Sequence, residues 1–324
     1  MDLSILVVSF NTRELTLRCL ETVFEETDGV TFEVRLIDNA SNDGSAEAIA
    51  ERFPQVHLIA SEENHGFAAA NNLLAAEAEG EWLLLLNPDT EVLDRAIPTM
   101  LEFARVQAGP VIVGGRTVFA DRRLNPSSCW GRPTPWSVFC MASGLSTLFP
   151  RTRWFEPETL GRWPRDTVRE VDIISGCFLL VERSRWNELG GFDPDFFMYG
   201  EDADLCLRAE RAGITRIVCP DATIVHHAGA SERASRAGKM LRLLRAKSQL
   251  FSKYWSRPAA WFGRRMLSLW SGTRCCAFGL LRFFRTRWAE SYRTWRDVWR
   301  GRAAWLDLEP STPAPSTREE ANRG

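Results

Sequence analysis

The densest group of residues that could do chemistry lies in residues 190–208, whose sequence is GGFDPDFFMYGEDADLCLR. Within twelve residues this segment places five acids beside Phe and Tyr side chains: Asp193, Asp195, Glu201, Asp202 and Asp204. Burial against aromatic rings raises the pKa of a carboxyl group, which makes it a better acceptor for the proton of a substrate hydroxyl. An acidic first turn of a helix is the structural alternative. Because exposed acids would not need so many apolar neighbours, we predict a general base here.

The spacing of these acids also predicts how they divide their roles. On a helix that begins near Glu201, Asp204 lies one turn further along, while Asp202 points elsewhere. One acid can then face an acceptor hydroxyl, and the others can bind backbone groups or Arg208.

A separate carboxylate, Asp89, follows four leucines in WLLLLNPDT (residues 82–90). The proline before it restricts the backbone and presets the turn. A carboxylate there can hold Mg²⁺ or Mn²⁺, which bind few protein ligands and complete their shell with substrate phosphates. His226 and His227 end a later apolar run, where they are either interfacial or supply an imidazole to the same metal. A helix cap by Asp89 or Thr90 explains the turn equally well.

Other polar residues follow apolar runs and could bind a ligand at a sheet edge. Asp38 opens the turn IDNASNDGS (residues 37–45), which either hydrogen-bonds a ligand or caps the next helix. In NHGF (residues 64–67), Gly66 allows close backbone approach, and the helix N-terminus behind it favours a phosphate. A plain helix start also explains this peptide.

The elements that must position these residues can be read from the first ninety residues, where apolar runs alternate with helix-compatible stretches. The runs cover residues 4–9, 33–38, 56–60 and 82–86, and the helical stretches cover residues 14–25, 45–52 and 67–79. This alternation predicts a parallel sheet with helices on both faces. Ligands of such sheets bind beyond the carboxyl ends of the strands, where Asn11, Asp38 and Asn87 stand.

The C-terminal third has a helical pattern from about Ala234 onward. Aromatic and leucine side chains recur there at helical spacing, which predicts one stripe of a single helix: Leu281, Phe284, Trp288, Tyr292, Trp295 and Trp299. The end of the chain, rich in Pro, Ser, Thr and charge, predicts a disordered tail. We therefore divide the chain into a catalytic domain (1–232, with halves 1–108 and 109–232), a basic aromatic helical region (233–305) and a tail (306–324).

The net charge of −2 hides a strong asymmetry. Between Arg233 and Arg302 the chain carries 18 Lys and Arg residues against two acids, which leaves 22 basic and 40 acidic residues elsewhere. Basic residues interleaved with Trp and Phe suit an interfacial helix on an anionic membrane. A helical hairpin packed on the catalytic part or on a second copy of the chain is the alternative. We expect no nucleic-acid partner.

The cysteines and the N-terminus bear on location. The eight cysteines are scattered without zinc-type spacing, which favours buried thiols in a reducing compartment. We find neither a signal peptide nor an apolar run near the roughly 20 residues that span a bilayer. We therefore expect a cytoplasmic protein that is peripheral on the inner face of the plasma membrane.

The motifs together resemble glycosyltransferase family 2, and most closely its bacterial rhamnosyltransferase-like branch. The resemblance covers residues 3–230 and rests on six motifs in the expected order: SFN at 9–11, IDNASNDGS at 37–45, NHGF at 64–67, LNPDT at 86–90, the GGFD to LCLR segment at 190–208, and His226. It implies a GT-A fold, that is, an α/β protein with a Rossmann-like mixed sheet flanked by helices. The basic amphipathic helices at the C-terminus lie outside it.

The resemblance assigns roles to individual residues. Asp202 is expected to be the catalytic base, with Glu201 beside it, and Asp89 and His226 are expected to hold the metal. The remaining assignments are nucleotide binding by Ser9, Asn11, Asp38, Asn64, Gly66 and Asn87, with Asp38 near the pyrimidine imide, and acceptor binding or support by Gly176, Asp193, Tyr199, Asp204 and Arg208. Asn87 stands where many family members have a first acid of the metal motif, so that fewer anionic ligands are available.

The implied activity is inverting, metal-dependent transfer of a sugar from a nucleotide-diphosphate donor. The favoured donor is dTDP-rhamnose, with UDP-galactofuranose or another UDP-hexose as the alternative. The expected acceptor is a hydroxyl of a glycan or lipid-linked acceptor in surface polysaccharide or cell-wall synthesis, and an oligomer is compatible with the sequence. A Rossmann oxidoreductase is disfavoured because no GxGxxG follows the first strand. A non-catalytic nucleotide-sugar-binding or membrane-associated module is disfavoured because both Asp202 and Asp89 are present.

Overall fold

The computed structural model describes residues 1–150, 152–161, 163–227 and 236–308. In chain order, its strands and helices are β1 (Leu3–Ser9), α1 (Arg13–Glu26), β2 (Phe32–Asn39), α2 (Ser45–Arg52), β3 (His57–Ser61), α3 (Gly66–Ala76), β4 (Trp82–Leu86), β5 (Thr90–Val92), α4 (Ala96–Arg105), β6 (Val111–Val118), β7 (Cys129–Trp130), α5 (Pro135–Ser143), α6 (Leu145–Leu148), β8 (Arg169–Glu170), β9 (Ile173–Ile174), β10 (Phe178–Glu182), α7 (Arg183–Leu189), α8 (Glu201–Arg211), β11 (Thr215–His226), α9 (Arg236–Tyr254), α10 (Arg257–Leu281), α11 (Trp288–Arg300) and α12 (Ala303–Leu306). Short 3₁₀ turns lie at Pro126–Ser128 and Pro157–Thr159.

The chain divides into two compact units. The first contains residues 1–133 and 149–233, and the second contains residues 134–148 and 234–324. Residues 134–148, which the sequence analysis placed in the acceptor-binding half, thus pack with the C-terminal helices.

The first unit is built on a mixed sheet, which in the described part of the chain has nine strands. The order along it is β3-β2-β1-β4-β10-β6-β11-β5, and β8 pairs with β11. β1 to β4 are mutually parallel, whereas β10 runs antiparallel to both β4 and β6. The four strands predicted in the first ninety residues are present, each within one residue of its predicted bounds. The mixed α/β fold predicted from the sequence is therefore confirmed.

The apolar runs become strands because both faces of this sheet are covered. Every residue of β1 and of β4 is buried, as expected of central parallel strands that lie between two helical layers. On one side, Ile5 and Val7 share a core with Leu20 of α1 and with Met100 of α4. The strand ends, where polar residues begin, are consequently the part of the sheet open to a ligand.

The second unit is helical and has its own core, formed by α5, α9, α10, α11 and α12. Trp305 is fully buried there. Its indole nitrogen donates to Ser268 Oγ over 3.2 Å, and its carbonyl accepts from Ser248 Oγ over 2.8 Å. These two bonds satisfy the polar groups of a large buried aromatic residue, which secures the short terminal helix.

The predicted single aromatic stripe is wrong. α10 ends at Leu281, Phe284 lies in the turn that follows, and only the four later members of the stripe belong to α11. These four side chains are partly buried against α10: Trp288 meets Phe278, Trp295 meets Trp270, and a Cβ added at Gly279 or Gly272 would touch Tyr292 or Trp299. One continuous helix would have left these rings in water, so the chain turns back and buries them in a hairpin.

The described helices include none with both the length and the hydropathy needed to cross a bilayer. All eight cysteines are free thiols, and Cys276 is exposed. The predicted disordered tail lies outside the described residues, apart from its first three positions.

Candidate active site

Three strands of the first unit meet at one edge of the sheet. β4 ends at Leu86 and leads into Asp89, and the antiparallel β10 begins at Phe178, opposite Leu86. β11 ends at His226, which pairs with Thr90. Because β11 runs parallel to β6 and β6 runs antiparallel to β10, the carboxyl ends of β4 and β11 lie beside the amino end of β10.

Asp89 and His226 face each other at this edge. Asp89 Oδ1 and His226 Nε2 are 3.3 Å apart, and both residues are buried. The other ring nitrogen of His226 lies 3.3 Å from Ser127 Oγ. Burial lowers the pKa of His226, but its interactions with Cys177 and Asp89 outweigh that effect and raise the pKa to about 10. Groups of the protein therefore lie beside both ring nitrogens. A metal ion bound at Nε2 would have to displace the proton held between His226 and Asp89, and Nδ1 would keep Ser127 as its partner.

These two side chains fit a divalent cation that is shared with a substrate. The donor set is one carboxylate oxygen and one imidazole nitrogen, and the described residues contain no cluster of three or more His, Cys, Asp or Glu side chains able to hold a metal ion. Mg²⁺ and Mn²⁺ accept so few protein ligands where phosphate oxygens supply the rest. The pair alone would bind such an ion weakly.

Glu201 and Asp202 begin α8 and are both buried. Burial raises the pKa of Asp202 to about 6, although its carboxylate accepts hydrogen bonds from the backbone N–H groups of Gly176 (3.2 Å) and Ala203 (2.7 Å). Burial, and then the negative charge of Asp202, raises the pKa of Glu201 well above its usual range. Within the described chain, Glu201 Oε2 is buried without a hydrogen-bond partner. Both acids therefore bind a proton more tightly than exposed carboxyls do, and Asp202, with a pKa of about 6, is the one suited to act as a general base.

A two-residue segment just before β10 connects the two groups of side chains. Gly176 donates its N–H to Asp202, and the next residue, Cys177, contacts His226 and accepts a hydrogen bond from the backbone N–H of Asn87 over 3.0 Å. A Cβ at Gly176 would lie 3.1 Å from the Phe67 ring, so a larger residue fits poorly there. The Asp202 carboxylate and the Asp89–His226 pair thus flank the same short segment.

Asp204 and Arg208 brace the loop that precedes α8. Asp204 is fully buried, and its carboxylate lies 2.7 Å from the Arg208 guanidinium. Arg208 also donates to the carbonyls of Leu189 and Gly191. The predicted support role of this pair thus has a definite geometry: it ties α8 to the double-glycine turn.

The same loop is hydrogen-bonded to Asn72 of α3. Asn72 accepts a hydrogen bond from the Phe192 N–H over 2.9 Å and donates to the Phe192 carbonyl over 2.8 Å. Asp193 Oδ1 accepts from the backbone N–H of Asp195, and Tyr199 adopts a left-handed φ of 71° just before the helix. The loop is therefore shaped by its own hydrogen bonds and by those from Asn72.

The polar residues at the ends of β1 and β2 are joined to one another. Asn11 donates its N–H to Ser41 Oγ over 2.8 Å and accepts from the Asn42 N–H over 2.9 Å. Asp38 Oδ2 accepts from the Ser41 N–H, whereas Oδ1 is buried without a hydrogen-bond partner in the described chain. A buried, unsatisfied carboxylate oxygen costs free energy, so Asp38 is the group best suited to accept a hydrogen bond from a bound base or ribose.

Ser9 occupies a different position from the other predicted nucleotide-binding residues. Its hydroxyl is fully buried, 3.2 Å from Thr12 Oγ1 and 3.0 Å from Thr16 Oγ1. Its side chain fixes the start of α1, and only its backbone remains for a ligand.

Gly66, a predicted nucleotide-binding residue, packs against the acidic loop. Gly66 has a φ of +76°, and a Cβ there would lie 2.4 Å from the Phe197 carbonyl oxygen. The N–H of Phe67 donates to that same oxygen over 2.8 Å. The close backbone approach that the glycine permits is therefore made by the protein's own acidic loop, which occupies the N-terminus of α3.

Asn64 helps to shape this turn, and a residue that the sequence analysis missed completes it. Asn64 Oδ1 accepts from the Gly66 N–H over 2.9 Å and from Asn39 Nδ2 over 3.0 Å. Asn39 also accepts from the His65 N–H over 2.8 Å. Asn39, Ser127 and Cys177 all contact predicted site residues. None could be found from motif spacing, because their partners lie at least 25 positions away in the sequence.

Comparison with known proteins identifies the family. A family model described as "Glycosyl transferase family 2" matches residues 4–179. The chain belongs to this family. Its relatives include the N-acetylglucosaminyl-diphospho-decaprenol L-rhamnosyltransferase of Mycobacterium tuberculosis, which is 30% identical over 260 residues, covering 73% of this chain and 81% of the relative.

Solved structures place this glycosyltransferase in the GT-A fold. A crystal structure of GalNAc-T7 with UDP, GalNAc and Mn²⁺ aligns with a TM-score of 0.60 and 15% identity, over 83% of this chain and 51% of that one. The mannosyltransferase PcManGT from Pyrobaculum calidifontis, in complex with GDP-Man and Mn²⁺, aligns with a TM-score of 0.53 and 20% identity, over 94% and 86%. The GT-A fold predicted from the motifs is confirmed.

The Asp204–Arg208 ion pair, which ties α8 to the double-glycine turn, gives a stability prediction for this glycosyltransferase. Arg208→Ala leaves the fully buried Asp204 carboxylate without its cation, and the loss of one partner of a buried ion pair costs about 3–5 kcal/mol. We expect a decrease of that size in the free energy of unfolding, measured by urea denaturation.

Arg185→Ala is the matched control, because Arg185 pairs with Glu188 at the surface and exposed pairs contribute at most about 1 kcal/mol. Equal small losses in the two variants would show that Arg208 is not a brace.

Proposed function

We propose that this family 2 protein is an inverting, metal-dependent glycosyltransferase, in which Asp202 is the base and Asp89 and His226 hold the metal. The proposal rests on the arrangement around residues 176 and 177. The Asp202 carboxylate lies on one side of these two consecutive residues, and the Asp89–His226 pair lies on the other. A sugar that bridges these two positions would have an acceptor at one end and its diphosphate at the other.

The chemistry follows from the proton affinity of Asp202. An acceptor hydroxyl is a poor nucleophile, so a carboxylate must take its proton as the new glycosidic bond forms. With a pKa of about 6, Asp202 is mostly ionised at neutral pH and binds a proton better than an exposed aspartate does. Attack from the side opposite the leaving group, assisted by one base, gives inversion at the anomeric carbon.

The leaving diphosphate gains negative charge as the bond to the sugar breaks. Mg²⁺ or Mn²⁺ held by Asp89 and His226 would neutralise that charge. The residues of the chain position the reactants, since Asp202 is fixed by two backbone donors and His226 by Ser127. Such positioning and charge stabilisation account for most of the rate gain in transfers of this kind.

We propose dTDP-rhamnose as the donor, with UDP-galactofuranose or another UDP-hexose as the alternative. The similarity to an L-rhamnosyltransferase whose name includes a lipid diphosphate supports both a rhamnosyl donor and a lipid-linked acceptor, in surface polysaccharide or cell-wall synthesis. A cytoplasmic location on the inner face of the plasma membrane would give access to both substrates. Residues 1–232 would form the catalytic domain, and residues 233–305 a basic helical region.

The donor assignment predicts a ranking of ligands. The melting temperature of the protein with Mn²⁺ should rise more with dTDP-rhamnose than with UDP-galactofuranose or UDP-glucose. A ligand that binds only the native state stabilises it by an amount that grows with the logarithm of its affinity. Thermal-shift assays at equal ligand concentration measure this ranking. A larger shift with a UDP-sugar would replace the donor but leave the enzyme class unchanged.

The base assignment predicts the effect of Asp202→Asn. This variant should lose transfer activity by a factor of about 10²–10⁴, the usual contribution of a general base, while its affinity for the donor nucleotide is retained. Activity is measured as sugar transfer to a lipid-linked acceptor, and affinity by calorimetry with the nucleoside diphosphate. Asp221→Asn, the same change at an exposed position, should leave both unchanged. Wild-type turnover in Asp202→Asn would exclude this residue as the base.

The metal assignment predicts the effect of Asp89→Ala. Titration of wild-type protein with dTDP should show at least about tenfold tighter binding in Mn²⁺ than in EDTA, a difference of about 1.4 kcal/mol. Asp89→Ala should bind with the EDTA affinity under both conditions, because the cation can no longer be shared with the diphosphate. Asp221→Ala serves as the control. Full activity of the wild type in excess EDTA would contradict the metal role.

A further inference from the structure

The second unit exposes an apolar surface on α10 and on the turn after it. In the turn, Phe283 and Phe284 are 77% and 83% exposed. Along α10, Trp261, Leu269 and Leu280 are exposed to 59%, 48% and 66%. Their spacing of eight and eleven residues keeps these three side chains within about 100° of the helix circumference, which is the width of one amphipathic stripe. We refer to these five residues as the exposed α10 surface.

All formally charged side chains in residues 257–289, which include α10 and the turn after it, are arginines. Residues 257–289 contain no Asp or Glu. Arg282 lies with its guanidinium carbon 4.1 Å from the Tyr292 ring centroid and 5.0 Å from that of Phe283, and Arg265 lies 5.4 Å from that of Trp261. Cations are thus held directly beside the exposed aromatic rings. This pairing of rings with Lys or Arg is typical of side chains at a membrane–water interface.

The aromatic residues of α11 are not available for the same purpose. Its stripe is turned towards α10, as the contact between Trp270 and Trp295 at 4.7 Å shows. The second unit therefore offers large exposed apolar side chains on α10 and the turn, and also at Trp136, Phe139 and Leu148 of α5 and α6. Of these, the exposed α10 surface is the one that lies in the acid-free segment 257–289.

We propose that the exposed α10 surface binds an anionic lipid bilayer, with Phe283 and Phe284 entering the boundary between headgroups and acyl chains. Charge complementarity selects this partner, because the segment carries only positive formal charge and the inner leaflet is anionic. Apolar side chains next to that charge add the burial that electrostatic attraction alone lacks. The inference depends on the proposed lipid-linked acceptor only for its biological purpose, because vesicle binding requires no donor and no turnover.

The full chain is tested by co-sedimentation with vesicles of phosphatidylcholine alone and of phosphatidylcholine with 30% phosphatidylglycerol, in about 150 mM salt. Wild-type protein should bind the anionic vesicles at least tenfold more tightly than the neutral ones. The Phe283→Ser/Phe284→Ser variant should lose at least tenfold in affinity for the anionic vesicles. Trp154→Ser, which removes a 79% exposed aromatic residue from the first unit, should bind like the wild type. Thermal melts of both variants check that they remain folded.

Three outcomes of the vesicle-binding and light-scattering measurements would overturn the proposal. The first is equal vesicle binding by the Phe283→Ser/Phe284→Ser variant and the wild type, and the second is no preference of the wild type for anionic lipid. The third is a wild-type dimer in light scattering that the double substitution abolishes, because a second copy of the chain would then be the partner. Preferential binding to an oligonucleotide at the same salt would also contradict it. Loss of transfer activity with vesicle binding intact would instead count against the proposed function alone.

Cys276 provides a second, independent measurement. It is the exposed cysteine of the chain and lies between Leu269 and Leu280 on the same side of α10. A polarity-sensitive fluorophore attached there should shift to the blue when anionic vesicles are added, and Cys276→Ser should abolish the labelling-dependent signal. Vesicle binding without any spectral shift at this position would place the lipid contact elsewhere.

Discussion

The site depends on the burial of two adjacent carboxyl groups, those of Glu201 and Asp202, at the start of α8. Both residues are buried, and the negative charge of Asp202 makes ionisation of Glu201 harder. Such burial costs free energy unless hydrogen bonds compensate it. For Asp202 the compensation comes from the backbone N–H groups of Gly176 and Ala203. The position of residue 176, and of the strand that follows it, is therefore coupled to the ionisation of the acid.

This coupling explains why an antiparallel strand is inserted beside β4. β10 begins at the edge where β4 and β11 end, so the residues just before it reach Asp202 on one side and His226 on the other. A parallel strand at that position would have offered its carboxyl end instead, with a different set of backbone donors. The mixed character of the sheet is thus what places the Asp202 carboxylate and the Asp89–His226 pair on either side of the same short segment.

Much of this arrangement could be predicted from the sequence, because the strongest signals were local. The four leucines before Asn87 give a buried strand that ends at a preset turn, and the acids after Gly200 give a helix with an acidic start. Contacts made by residues far apart in sequence were not predictable in this way. Ser127 contacts His226, which lies 99 positions later in the sequence. The segment around Ser127 is interrupted by prolines and has no periodic pattern.

Two local sequence signals, at Gly66 and in the aromatic stripe after Leu281, have tertiary partners that the sequence did not reveal. Gly66 does have the backbone freedom that its sequence context suggested, and the Phe197 carbonyl lies against it. The aromatic spacing after Leu281 is helical, but burial of Trp295 against Trp270 is achieved by a turn that interrupts the pattern. In both cases the sequence correctly indicated a local property, the backbone conformation of Gly66 or the helical spacing of the aromatic residues. The residues that these positions contact depend on tertiary packing.

The hydrogen bonds between α3 and the acidic loop have a mechanical consequence. Asn72 makes two bonds to Phe192, and Phe67 makes one to Phe197; each contributes about 0.5–1.5 kcal/mol. A shift of α3 therefore carries with it the segment that leads into Glu201. The packing of α3 and the geometry at the start of α8 are thus linked through the backbone of one loop.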